Sequence, residues 1–205
     1  MRTVRKTKKD VVTEFRCGEI LAAAHQIFAE KGFYDATIDD VAGAAGVAKG
    51  TVYLYYRCKS DLYWATLKRG VVEMLEKTNS SMQAAGSTKA KISAFIETKI
   101  RYFDENRDFF KIYYREFGNA LTHPVQIRND FTKLYLQQSR MLEAVLEKGL
   151  RRKEIRRLRA GTAALAIADL TRGLVTQRLL GWSKGKVQDD VAFLFDFVWK
   201  GIGSS

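Results

Sequence analysis

Residues 37–59, TIDDVAGAAGVAKGTVYLYYRCK, decide the fold of this chain. Ile38, Val41, Ala42, Ala45, Val47 and Val52 recur at spacings that give two short helices one shared buried face. The small side chain of Ala42 lets a second helix pass close. Gly46 falls in the turn, where a positive φ favours glycine, and Val52 turns the second helix back onto the first. Thr37, with Asp40 three residues later, makes a capping-box-like start for the leading helix. An A-x3-G pattern alone fits any helical hairpin. Here the outward positions also carry Lys49, Thr51, Tyr53, Tyr55 and Lys59, donors suited to phosphates and base edges. Two helices joined this way form the unit that lays its second helix in the major groove of double-stranded DNA.

The surrounding stretch from Ile20 to Leu67 reads ILAAAHQIFAEKGFYDATIDDVAGAAGVAKGTVYLYY and continues into RCKSDLYWATL. It resembles the DNA-binding domain of the TetR family of bacterial transcriptional regulators. The resemblance implies an all-α fold: a three-helix helix-turn-helix domain at 1–60, then a helical effector-binding and dimerisation domain at 61–205. Thr37, Tyr53, Tyr55 and Lys59 match positions that hold the DNA backbone in the family. Lys49, at the start of the second helix, is the candidate for a base-edge contact, with Thr51 and Leu54 placed for a base edge or a thymine methyl. Most family members have serine or threonine where this chain has Ala48, so one cap and phosphate contact is absent here.

With 205 residues, 46% of them hydrophobic, the chain can bury one sizeable core and a small appended domain. A single proline, Pro124, suits a chain made of helices. No apolar run approaches a membrane span, so a cytoplasmic location without a membrane partner is expected. The net charge of +12 and pI near 9.7 favour a polyanionic partner. The positive charge is concentrated. Arg2, Arg5, Lys6, Lys8 and Lys9 read as a disordered basic arm over residues 1–12. A second block, RRKEIRRLR at 151–159, is either a solvated loop or a contact for an anionic effector or DNA.

Periodicity predicts a first helix over 13–31 stopped by Gly32, a second opened by Thr37, and further helices over 48–55, 60–80, 88–104, 107–119, 126–149, 160–181 and 187–201. Cys17 and Cys58 have no metal-ligand spacing, and no metal or cofactor is expected. The two histidines, His25 and His123, lie far apart in sequence, and no catalytic motif is present, so no enzyme activity is expected. A helical enzyme or lipid carrier using the same fold is the rival reading.

Apolar residues in the middle of the chain are either core or the wall of an effector pocket. Trp64, Leu67, Phe103, Tyr113, Tyr114 and Phe117 are the candidates, with Asn119, His123 and Gln138 as polar groups. An apolar or aromatic effector suits these residues; an acyl-CoA-type anion suits them together with the basic block. The last helix, VQDDVAFLFDFVWK, is apolar on more than one side, and the helix before it is rich in alanine. The pair reads as packing inward on its own domain and outward on a second copy, as the family resemblance also implies. Leu165, Leu174, Val191, Leu194, Phe195 and Val198 are the residues assigned to dimerisation. The resulting expectation is a ligand-responsive homodimer, a repressor at a palindromic operator.

Overall fold

A computed structural model describes residues 7–119 and 125–203, with side chains except those of residues 8, 9, 11, 116–119 and 125–131. Among the described residues it is all-α. The helices are α1 (Lys8–Asp35), α2 (Ile38–Ala44), α3 (Lys49–Tyr55), α4 (Lys59–Ala84), α5 (Thr88–Glu105), α6 (Arg107–Asn119), α7 (Val125–Arg151), α8 (Ala160–Leu179) and α9 (Val187–Ile202). None of them is long and apolar enough to cross a membrane. The described residues form two compact units. One comprises the chain up to Gly70 with Asp108–Tyr113; the other comprises Val71–Arg107 and the chain from Tyr114 onward.

Local chemistry explains most helix ends. The Thr7 hydroxyl accepts from the Asp10 amide at 3.2 Å and the Asp10 carboxylate accepts from the Thr7 amide at 2.9 Å, a full capping box. This corrects the expected arm: residues 8–12 are helical, because Thr7 and Asp10 satisfy the first-turn amides that a disordered segment leaves to water. Residues 1–6 lie outside the described residues. Gly32, at φ 77°, breaks the helical path where the sequence placed a stop, and Phe33–Asp35 follow as a further turn. The expected gap between the helices over 60–80 and 88–104 shrinks to Ala85–Ser87. α4 runs on to Ala84, and the Ser87 hydroxyl caps α5 by accepting from Ala90 N–H at 3.1 Å.

In the first unit Phe28 is fully buried and meets Tyr63 edge-on, with ring centroids 4.9 Å apart. The core of the second is built on Ile92, Phe95, Ile96 and Ile100 of α5, facing Leu142 of α7 and Ile167 of α8. The basic block 151–159 is an ordered connection. Ile155 is buried and bridges Gly203, and the Arg156 amide donates to the Ile202 carbonyl at 2.8 Å. Arg157 and Arg159 point to solvent.

Candidate functional site

The turn between α2 and α3 is fixed by backbone geometry. Gly46 sits at φ 65°; its N–H donates to the Gly43 carbonyl at 3.2 Å, and the Val47 N–H to the Ala42 carbonyl at 3.0 Å. This pair of bonds is a Schellman motif, which satisfies the last carbonyls of α2 and needs a left-handed residue at the glycine position. Ala42 is buried beneath the crossing and Val52 is fully buried from the other side. At the start of α2 the Thr37 hydroxyl accepts from the Asp40 amide at 3.1 Å, and the Asp40 carboxylate accepts from the Thr37 amide at 2.9 Å. Lys31 of α1 joins the same carboxylate at 2.7 Å. The hydrogen bond from Lys31, then those from Thr37, lower the Asp40 pKa to about 2.

With Val52 anchored, the opposite face of α3 is forced outward. Leu54 is 80% exposed and Tyr53 47%; Lys49 and Gly50 are exposed, while Thr51 and Tyr55 are half-buried. Ala48 is the N-cap of α3 and makes no side-chain cap bond, in keeping with its missing hydroxyl. The Lys49 ammonium is paired with Asp39 at 2.7 Å, and that hydrogen bond and charge raise its pKa. Lys59 is turned toward its own unit. Its ammonium donates to the Tyr34 and Ala36 carbonyls, each at 3.0 Å, and lies 4.8 Å from the centre of the Phe33 ring. It therefore closes the end of α1 as well as opening α4. Asp39 as partner of Lys49, and this use of Lys59, were not read from the sequence, because each joins residues at least ten apart in the chain.

The aromatic candidates divide between the two units. In the first, Leu67 is fully buried and Trp64 half-buried, and Tyr113 packs its ring 5.8 Å from Phe109 and 6.4 Å from Phe110. In the second, Phe103 is buried, and the half-buried Tyr114 donates its hydroxyl to the Arg172 carbonyl at 2.7 Å and meets the Thr176 hydroxyl. The side chains of Phe117 and Asn119, and all of His123, lie outside the described residues.

Gln138 is 3% exposed, and among the described residues neither its Oε1 nor its Nε2 has a hydrogen-bond partner. On the same face of α7, one turn earlier, the Tyr135 hydroxyl donates to the Asp169 carboxylate. Asp169 is also held by Arg172 at 3.0 Å. Lys99 of α5 is 4% exposed, a buried cation that sequence pattern gave no reason to single out. Burial lowers its pKa to about 7; the charge of Arg172 pushes the same way and that of Asp169 opposes.

On α9 the side chains assigned to dimerisation separate into two faces. Val191, Leu194 and Val198 are buried within the protomer, because they share the stripe that packs on α5 and α8. They are therefore core residues of the protomer, where the sequence reading assigned them to dimerisation. The outward apolar residues are Phe193 at 67% and Phe197 at 59% exposure, with Leu165 and Leu170 of α8 also exposed. Leu174 and Phe195 are half-buried, Phe195 stacking on Trp199 beneath Lys89.

Residues 20–66 match the family described as bacterial regulatory proteins, tetR family, and residues 85–176 match the tetracyclin repressor-like C-terminal domain. The chain is 25% identical over 138 residues to the fatty acid metabolism regulator protein of Bacillus subtilis, covering 67% of this chain and 70% of that protein. It is 24% identical over 109 residues to the HTH-type transcriptional activator FasR of Mycolicibacterium smegmatis, covering 53% of this chain and 49% of that one. The fold is shared with a transcriptional regulator from Saccharomonospora viridis in complex with choline, at a TM-score of 0.82 and 20% identity over 94% of this chain and all of the other (100%). It is shared too with FadR from Bacillus subtilis in complex with stearoyl-CoA, at a TM-score of 0.78 and 19% identity over 88% of this chain and 96% of the other. The chain is a transcriptional regulator of the TetR family.

Proposed function

We propose that this chain works as a homodimer that binds a palindromic operator through α3, represses transcription, and is released by an acyl-chain effector. The outward face of α3 carries the reading. A seven-residue helix held from behind by Val52 presents Lys49, Tyr53 and a four-fifths exposed Leu54 on one side. Such a face suits the major groove, where a lysine meets guanine acceptors and an apolar side chain meets a thymine methyl. Thr51 adds a base-edge contact. Thr37, Tyr53 and Tyr55 fix the helix on phosphates, which sets register without reading sequence. Lys49 exchanges its Asp39 partner for a base. Lys59, with two of its three N–H groups given to backbone carbonyls, has one left for a phosphate and chiefly positions the start of α4.

The exposed Phe193 and Phe197, flanked by Leu165 and Leu170, support pairing with a second copy, since an apolar surface of this kind is rarely left uncovered. A two-fold dimer demands a two-fold operator, with half-sites about one helical turn, ~34 Å, apart. The names of two relatives, a regulator of fatty acid metabolism and a regulator holding stearoyl-CoA, favour an acyl-chain effector over an aromatic one. α4 belongs to both compact units, the first as far as Gly70 and the second from Val71, which suits it to carry an effector's influence to α3.

Fluorescence anisotropy with DNA from upstream of the chain's own gene, set against random DNA, tests the reading. Specific binding should fall in Lys49→Ala while random binding persists, and Tyr53→Phe should weaken binding without changing the preferred site. Equal loss on both DNAs in Lys49→Ala overturns base reading by this residue. DNA binding that appears only on adding an acyl compound reverses the sign of regulation.

A further inference from the structure

The polar groups inside the second unit are unevenly matched. Asp169 of α8 stands at the solvent edge, its side chain 48% exposed, and is already taken by Arg172 of the same helix and by the Tyr135 hydroxyl of α7. Tyr114 of α6 is committed to the Arg172 carbonyl and Thr176. That leaves the Lys99 ammonium with no hydrogen bond or ion pair among the described residues; its neighbour is the Phe95 ring, 4.9 Å away. A buried cation over an aromatic face has exchanged its water shell for a weak quadrupole attraction, an unfavourable trade unless something else arrives. Gln138 is in the same position, with donor and acceptor both buried and unmet. Each unsatisfied group costs stability, and the fold brings them to one level: the start of α5 meets the end of α7 at Thr88 and Gly149, and Lys99 and Gln138 each lie eleven residues from that contact on the two packed helices, while Tyr135, one turn before Gln138, ties α7 to Asp169 of α8.

We propose that the effector carries a carboxylate that docks in this interior against the Lys99 ammonium and the Gln138 side-chain amide. The proposal rests on the reading of the chain as an effector-responsive regulator and names the chemistry of its ligand. Arg172 and Asp169 pair with each other toward solvent, so the buried charge is that of Lys99 alone, which a monoanion balances and a dianion overshoots. A carboxylate accepts from the ammonium and from Gln138 Nε2 at once, strengthening both bonds in surroundings that exclude water. Most other side chains buried on these helices are apolar, Ile96, Ile100 and Ile167 among them, so the ligand's remaining part is a hydrocarbon chain. The chemistry is that of a free fatty acid. It differs from a thioester, whose carbonyl brings no charge to Lys99.

Calorimetry on the full chain at pH 7 with octanoate, 1-octanol and octanoyl-CoA tests this. Octanoate should bind about 10- to 100-fold more tightly than 1-octanol. Lys99→Met should erase that preference by weakening octanoate while leaving 1-octanol bound at least as well as before. Gln138→Leu should reduce octanoate affinity by a smaller factor. Equal affinities for octanoate and 1-octanol in the wild-type chain overturn the proposal. So do an undiminished preference in Lys99→Met, an octanoyl-CoA affinity equal to that of octanoate, or failure of octanoate to bind. Anisotropy of the wild-type chain on operator DNA is a separate arm. If no DNA is bound specifically, the regulator reading fails while the calorimetry still decides the carboxylate site.

Discussion

Charged and polar groups around α2 and α3 are satisfied within the folded chain, whereas the interior of the second unit keeps a lysine and a glutamine unsatisfied. Asp40 holds Lys31 and Thr37, Lys49 holds Asp39, and Lys59 caps two carbonyls at the end of α1. Among the described residues, Lys99 has the Phe95 ring and no ion pair, and Gln138 has no hydrogen-bond partner. A surface that must present a fixed shape to a rigid duplex gains from being complete before it binds, because less freedom is then lost on association. A cavity-type site gains from the opposite arrangement. Groups left unmet in the free state strengthen their interaction with a ligand relative to the empty protein, at the expense of stability. The two regions thus differ in the polar groups they leave over: those around α2 and α3 are paired within the chain, while Lys99 and Gln138 are not paired among the described residues.

The largest effect that tests this contrast is loss of a core ring in the complete region. Phe28→Ala removes a fully buried side chain packed on Tyr63 and should cost about 3–5 kcal/mol of unfolding free energy, read by urea denaturation. A cost under one kcal/mol would mean that α1 and α4 are not packed as described.

In the incomplete region the sign reverses. Lys99→Met should stabilise the ligand-free chain at pH 7 by about 1–4 kcal/mol, since an isolated buried cation is replaced by an apolar chain of similar length. The pH dependence fixes the cause. The folded-state pKa of Lys99 is lowered from 10.5 to about 7, so between those values the unfolded chain binds the extra proton. Wild-type stability should therefore rise relative to the variant as pH goes from 7 toward 10, and the advantage of Lys99→Met should shrink over that window. A pH-independent difference would show that the ammonium is not desolvated.

Smaller again is the turn. Gly46→Ala forces a Cβ into the left-handed region and should cost about 1–2 kcal/mol, with a matching loss of cooperativity in forming α3. The smallest expected effect sharpens the picture of a surface already complete before binding. Asp39→Asn frees Lys49 and should raise DNA affinity about 1.5- to 5-fold at low salt, with the gain fading as salt is added. A fall in affinity would mean that Asp39 serves to aim Lys49 rather than to occupy it.

These contrasts also explain what the sequence could disclose. The helix-turn-helix was readable because its determinants are local: Thr37 caps three residues ahead, Gly46 turns the chain where it stands, and Val52 follows within one more turn of helix. Both faces of α9 were readable as apolar, but not which faced inward. That choice depends on α5 and α8, which bury Val191, Leu194 and Val198 and leave Phe193 and Phe197 outside. The helical start of α1 was missed because a run of lysines and arginines outweighed the Thr7–Asp10 pair in the reading. Gln138 was legible as a candidate polar group of an effector pocket, whereas Lys99 was not. A lysine on a helix is ordinarily solvated, and its burial arises from three helices brought together across some seventy residues of chain, Lys99 to Asp169.

Hydroxyl-radical footprinting of the DNA upstream of the chain's own gene tests most directly whether the face of Lys49, Tyr53 and Leu54 reads an operator as a two-fold pair. The account predicts two protected patches related by a dyad and spaced by about one helical turn, ~34 Å, both lost in Phe193→Glu/Phe197→Glu as well as in Lys49→Ala. A single asymmetric patch, or protection that persists when the exposed phenylalanines are charged, would contradict it.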